Sequence, residues 1–153
     1  MCKRSADRSR RDFLVSIHPR FVETIFSGRK TVELRRRFSD RAEANSLVFI
    51  YGTSPMQSLI GTARIVDVKR MPKACIWRQF GKQACVSKAE FEAYFSGIDF
   101  GYAILLDRVT RFREAIGADD LRQFGFVPPQ SFRYVPKEFY SLLGCHARGQ
   151  SSY

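Results

Sequence analysis

The chain has 153 residues, the size of one ordinary domain, and its 44% apolar and 14% aromatic content is enough for a single core. No apolar run reaches the length of a membrane span, and the charged stretch Met1–Arg11 has no apolar segment behind it, which argues against a membrane protein or a secretory leader and for a cytoplasmic one. The formal net charge is +11 and lies wholly in residues 1–82, a one-sided excess expected of a phosphate-backbone binder, with a merely solvated basic surface as the plainer alternative.

Residues 1–11, with five basic side chains against one acidic, read as a disordered basic arm. Phe13–Ile17 reads as a short buried strand. A helix is expected over Pro19–Ser27: proline suits the first helical position, and Phe21, Val22, Ile25 and Phe26 recur on one face. Gly28 fits the left-handed position that ends a helix. The next strand, within Gly28–Phe38, is unusual. Period two points Val32 and Leu34 to the core and Thr31, Glu33, Arg35 and Arg37 outward, with Lys30 at the rim of the core and its amine reaching out.

Ser46–Tyr51 is an apolar strand broken by Gly52-Thr53-Ser54-Pro55. Leu59–Lys69 is a longer strand, with Gly61 marking a bulge or a close approach. Trp77, on a basic loop with Lys73, Arg78 and Lys82, is expected as a satellite core residue rather than a stacking platform. Ser87-Lys88-Ala89-Glu90 is a capping box opening a helix that ends at Gly97. Tyr102–Phe112, apolar on both faces in its first half, predicts a central strand. Asp119–Phe124 and Lys137–Leu143 read as short helices, separated by a stiff loop and an aromatic, basic edge strand ending in Phe132-Arg133-Tyr134. Residues 147–153 are a polar tail, so the domain spans 12–146. Five to six short strands with flanking helices predict an α+β fold, either a small mixed β-barrel or an open curved sheet.

Cys2, Cys75, Cys85 and Cys145 form no chelating pair, and His18 and His146 are the only histidines. The expectation is four reduced thiols, no metal and no cofactor. No Ser/His/Asp constellation and no P-loop is present.

Four segments in order resemble the ASCH domain family of the PUA-like superfamily. They are Leu14-Val15-Ser16-Ile17-His18-Pro19, the G-x-K-x-x-E-x-R run Gly28–Arg35, Tyr51-Gly52-Thr53-Ser54-Pro55, and Pro128-Pro129-Gln130-Ser131-Phe132-Arg133-Tyr134. The last is similar to the subgroup labelled predicted transcriptional regulators. The resemblance covers about residues 12–140 and implies a PUA-like β-barrel with flanking helices. It also implies a cleft between barrel and helix that takes RNA or a single base, modified bases included. DNA is the alternative nucleic acid.

The candidate ligand residues follow from these segments. Lys30 is a point charge for a phosphate and the only catalytic candidate, since burial or a like charge would lower its pKa toward a base. Glu33 is either the partner of Arg35 or an acceptor for an exocyclic amine. Arg35 and Arg37 are phosphate clamps, with Arg36 pointing the other way; a charged, aggregation-resistant edge is the bland alternative. Tyr51, Phe132 and Tyr134 are stacking candidates, and Thr53, Ser54, Ser131 and Arg133 polar ones. The amidohydrolase branch of the family, which removes the acetyl group of N4-acetylcytidine, looks like G-x-K-T-x-T-x-R. Glu33 stands where its threonine nucleophile would be, which counts against that activity. Nucleic-acid binding leads; a small hydrolase or ribonuclease in the same cleft, and a regulatory module whose basic arm binds acidic partners, compete with it. The sequence permits a dimer without requiring one.

Overall fold

The structure, a computed structural model, describes residues 11–149. The basic arm, but for Arg11, and the end of the tail lie outside the described residues. The first strand, β1 (Phe13–Ile17), is buried along its whole length and leads into α1 (Pro19–Phe26). Gly28, at φ +82°, ends that helix as the left-handed position required. Strand β2 (Val32–Arg35) is shorter than its charge pattern suggested, and β3 (Leu47–Gly52) follows. Two long strands, β4 (Ser58–Pro72) and β5 (Phe100–Gly117), enclose α2 (Lys73–Phe80) and α3 (Lys88–Tyr94). The chain closes with α4 (Ala118–Gln123), the short edge strand β6 (Phe132–Tyr134) and α5 (Lys137–Gly149).

The six strands form one sheet in the order β2-β5-β4-β3-β1-β6, antiparallel throughout except for β1 beside β3. The sheet curls into a half-barrel with helices around it, the α+β mixed-barrel class expected. Three register shifts along β4 and β5 supply the curl. Gly61 sits at one of them, where an added Cβ would lie 2.2 Å from the Thr110 carbonyl oxygen, so this crossing admits only glycine. The curl brings the two ends of the sheet together. Arg35 on β2 donates through Nη2 to the Ser16 carbonyl on β1 at 2.7 Å, and Phe38 beyond β2 packs on Phe132 of β6 with ring centroids 4.9 Å apart.

Alternation sorts the core into three clusters. Phe13, Val15, Ile17, Val48, Ile50 and Ile104 share one cluster with Val22 and Ile25 of α1. Leu14, Phe49 and Tyr51 point the other way, onto Leu121 of α4 and Phe139 of α5. Val32 and Leu34 join a third cluster with Ile76, Phe91 and Phe95. Residues 73–80, expected as a basic loop, are helix α2, and the helix carries Trp77 into that third cluster, 5.2 Å from the Phe91 ring. Trp77 is therefore a satellite core residue, as expected. The helix escaped detection because its N-cap, Pro72, makes no side-chain cap and only Ile76 is fully buried.

Candidate nucleic-acid-binding cleft

A cavity of about 300 Å³ opens between α1, β2 and α3. Its walls include Ser16, His18 and Phe21 on one side, Lys30, Glu33 and Arg35 at its base, and Val86, Glu90 and Tyr94 on the other. The far wall depends on the capping box at Ser87. The Ser87 hydroxyl accepts from the Glu90 N–H at 3.1 Å, and Glu90 accepts in turn from the Ser87 N–H at 3.2 Å. The outer edge of β2 is covered rather than free: the Gln83 carbonyl accepts from the Thr31 and Val32 N–H groups, and the Tyr94 hydroxyl donates to the Leu34 carbonyl.

This covering corrects the exposure expected of β2. The strand is buried on both faces, with Glu33 and Arg35 each 8% exposed and Lys30 3%. The Lys30 amine does not reach outward. It donates to the Ala84 carbonyl at 2.5 Å, lies 4.5 Å from the centre of the Phe21 ring, and stands 3.6 Å from Glu33 Oε2. Burial lowers its pKa, the Glu33 carboxylate works against that shift, and the Arg35 guanidinium adds to it. Arg35 Nε is 3.5 Å from Glu33 Oε1, too far for a good hydrogen bond. Glu33 Oε2 and Arg35 Nε are both buried without a hydrogen-bond partner. Buried polar atoms without a hydrogen-bond partner are a small minority in folded proteins.

Not all the sequence candidates gather here. Ser131 only adjoins it: its hydroxyl lies 3.4 Å from Arg35 Nη1, but the residue is exposed and lines no part of the cavity. Tyr51 is buried in the second core cluster, and Phe132 packs into the first against Phe13 and Phe38. Thr53 is half-buried at the end of β3, where its N–H donates to the Ile17 carbonyl, and Ser54 beside it is exposed. Tyr134 is exposed at the sheet edge, its hydroxyl 2.5 Å from that of Ser39 and its ring 4.8 Å from the Arg11 guanidinium. Arg37 and Arg133 are exposed and line no part of the cavity, and Arg36 is bound to the Tyr94 and Ser96 carbonyls. His18 also lines the cavity. Its Nδ1 accepts from the Arg20 N–H at 3.3 Å as the cap of α1, which leaves Nε2 as the nitrogen that bears the hydrogen of the neutral ring and can donate. A histidine immediately before an N1 proline was the signal for that cap. Among the described residues no three His, Cys, Asp or Glu side chains come together as metal ligands, and no helix is long and apolar enough to cross a membrane.

A curled six-stranded half-barrel with flanking helices is the PUA-like architecture. Within it, this chain belongs to the ASCH domain family, whose model matches residues 15–109. It is 34% identical over 131 residues to a Zymomonas mobilis protein named ASCH domain-containing ribonuclease, covering 84% of this chain and 87% of that one. The crystal structure of ASCH from Zymomonas mobilis superposes with a TM-score of 0.81 at 32% identity, covering 88% of this chain and 94% of that one. Human THYN1, solved in complex with 5-methylcytosine containing DNA, has a TM-score of 0.54 at 10% identity, covering 87% and 95%, a likeness of fold alone.

Proposed function

We propose that this protein binds single-stranded nucleic acid, RNA before DNA, by drawing one base, plain or modified, into the cavity between α1, β2 and α3. The observation that carries this reading is the buried charge cluster of Lys30, Glu33 and Arg35 at the base of a cavity of about 300 Å³ that Phe21 and Tyr94 also line. An exocyclic or ring N–H of a base would donate to Glu33, and Phe21 and Tyr94 would meet its apolar faces. The excess of positive charge in residues 1–82 favours the backbone on either side. Val86, half-buried in the cavity wall, offers the test. Val86→Trp fills the cavity and should weaken binding of short single-stranded RNA by roughly tenfold or more, the scale of one lost base stack plus its hydrogen bond. Binding should also weaken steeply between 50 and 200 mM salt. Unchanged affinity in the filled variant refutes the cavity, and affinity insensitive to salt refutes the backbone contacts.

The name of the 34%-identical relative favours a second reading, RNA cleavage in the same cleft. Lys30, its pKa lowered by burial, is the group that would move a proton, and the His18 Nε2–H would donate a hydrogen bond to the phosphate. Incubation with RNA separates the readings. Product that disappears in His18→Ala and Lys30→Ala supports cleavage, and intact RNA beside intact binding retires it.

A further inference from the structure

Arg20 of α1 and Glu90 of α3 meet at the rim of the cavity. Arg20 Nη1 and Nη2 engage Glu90 Oε2 and Oε1, the second contact at 3.1 Å, and both side chains are solvent-exposed. The guanidinium also lies over the Phe21 ring, 5.0 Å from its centre. The other nearby guanidiniums are committed: Arg35 to the Ser16 carbonyl, Arg36 to the end of α3. Arg20 combines a place at the rim with a partner it can exchange. Its fork suits carboxylate and phosphate alike, and a phosphate monoester carries more charge than a carboxylate. Release leaves Glu90 the Ser87 N–H at Oε1 and water around the rest of its exposed carboxylate.

We propose that Arg20 is the phosphate subsite of the cavity, occupied by Glu90 until a nucleotide arrives. The phosphate of the nucleotide whose base enters the cavity then replaces the Glu90 carboxylate on the Arg20 fork. This rests on the base-binding reading above, and the experiment is arranged to fail separately from it.

Binding of the four ribonucleosides, their 5′- and 3′-monophosphates, and inorganic phosphate is measured by calorimetry on the full chain, on Glu90→Gln and on Arg20→Ala. Glutamine retains the capping box, so Glu90→Gln should fold normally. It should raise the affinity for monophosphates about threefold to tenfold relative to that for the matching nucleosides, the scale of one exposed charge contact. Arg20→Ala should bind monophosphates no better than nucleosides. Equal affinity for nucleosides and monophosphates in all three proteins overturns the phosphate subsite and leaves the base pocket standing. Tighter binding of inorganic phosphate by Glu90→Gln, with nucleosides silent, keeps the subsite and overturns the base pocket. Silence toward every ligand overturns both.

Discussion

Glu33→Gln tests whether the base of the cavity is a charge triad that holds together through one carboxylate. Glutamine preserves the shape of the side chain and removes its charge, leaving Lys30 and Arg35 buried beside each other with no counter-ion. Glu33 stands 3.6 Å from the Lys30 amine and 3.5 Å from Arg35 Nε. At an effective dielectric constant of about 20, each contact represents roughly 4–5 kcal/mol of attraction. Lys30–Arg35 repulsion and the cost of burying the carboxylate offset part of that sum. Breaking a buried pair by removing one partner typically costs ~3–5 kcal/mol. Because neither contact is a good hydrogen bond, we expect the lower end, a fall in Tm of roughly 10 °C for a chain of this size. Urea unfolding followed through Trp77, which packs in the cluster beside β2, reads it directly. The pH dependence has a definite sign. The folded-state pKa of Lys30 lies below its ordinary 10.5, so the cost of its buried charge is fully present below the folded value. It is relieved as pH rises from there toward 10.5, where the unfolded chain binds more protons. Glu33 opposes that lowering, so the Glu33→Gln deficit should shrink at alkaline pH, starting at a lower pH than any relief in the parent. The double variant Lys30→Met with Glu33→Gln should be less destabilised than the two single changes added together. A Glu33→Gln protein within about 0.5 kcal/mol of the parent, the range of ordinary surface changes, would refute the triad.

Three further outcomes bear on the frame around the cavity. Gly61→Ala should destabilise by about 1–3 kcal/mol, because its Cβ would meet a backbone oxygen that cannot rotate away; a parent-like urea midpoint would mean that β4 and β5 do not cross so closely. Ser87→Ala should cost about 1 kcal/mol and speed amide exchange in α3, whose first turn loses its cap; unchanged exchange there would deny the cap a role in the cavity wall. Glu90, held by Arg20 and Ser87, should titrate at about 2 by NMR, against the ordinary 4.5. Its contribution to stability is complete above 4.5 and is lost as pH falls from there to about 2. Arg20→Ala should move the midpoint upward, and a parent midpoint near 4.5 would show that the ion pair does not form in solution.

The frame of this fold was legible from local chemistry. The proline, the apolar face and Gly28 defined α1; the capping box defined α3; Gly61 marked the crossing of β4 and β5. The cavity was not, because its burial is made over distance. Period two correctly separated Val32 and Leu34 from Glu33 and Arg35, but the usual rule that charge faces water then sent the charged side outward. Three contacts reverse that rule. Lys30 is satisfied by Ala84, 54 residues away; Arg35 by Ser16, 19 residues back; and the strand edge by Tyr94, 60 residues on. Lys30 also precedes the strand, so strand parity never governed it. The same distance effect divides the later candidates. Ser131 reaches Arg35 only because the sheet curls β6 toward β2, while Phe132, next to it in sequence, is drawn into the core by Phe38. A buried charge cluster is costly unless its members satisfy one another, and this one leaves an acceptor on Glu33 and a donor on Arg35 unused. Structural need alone would be met more simply by apolar residues at these positions. Such a cluster at the base of an open cavity is therefore the strongest physical reason to read the G-x-K-x-x-E-x-R run as a site for a polar ligand rather than as a device of the fold.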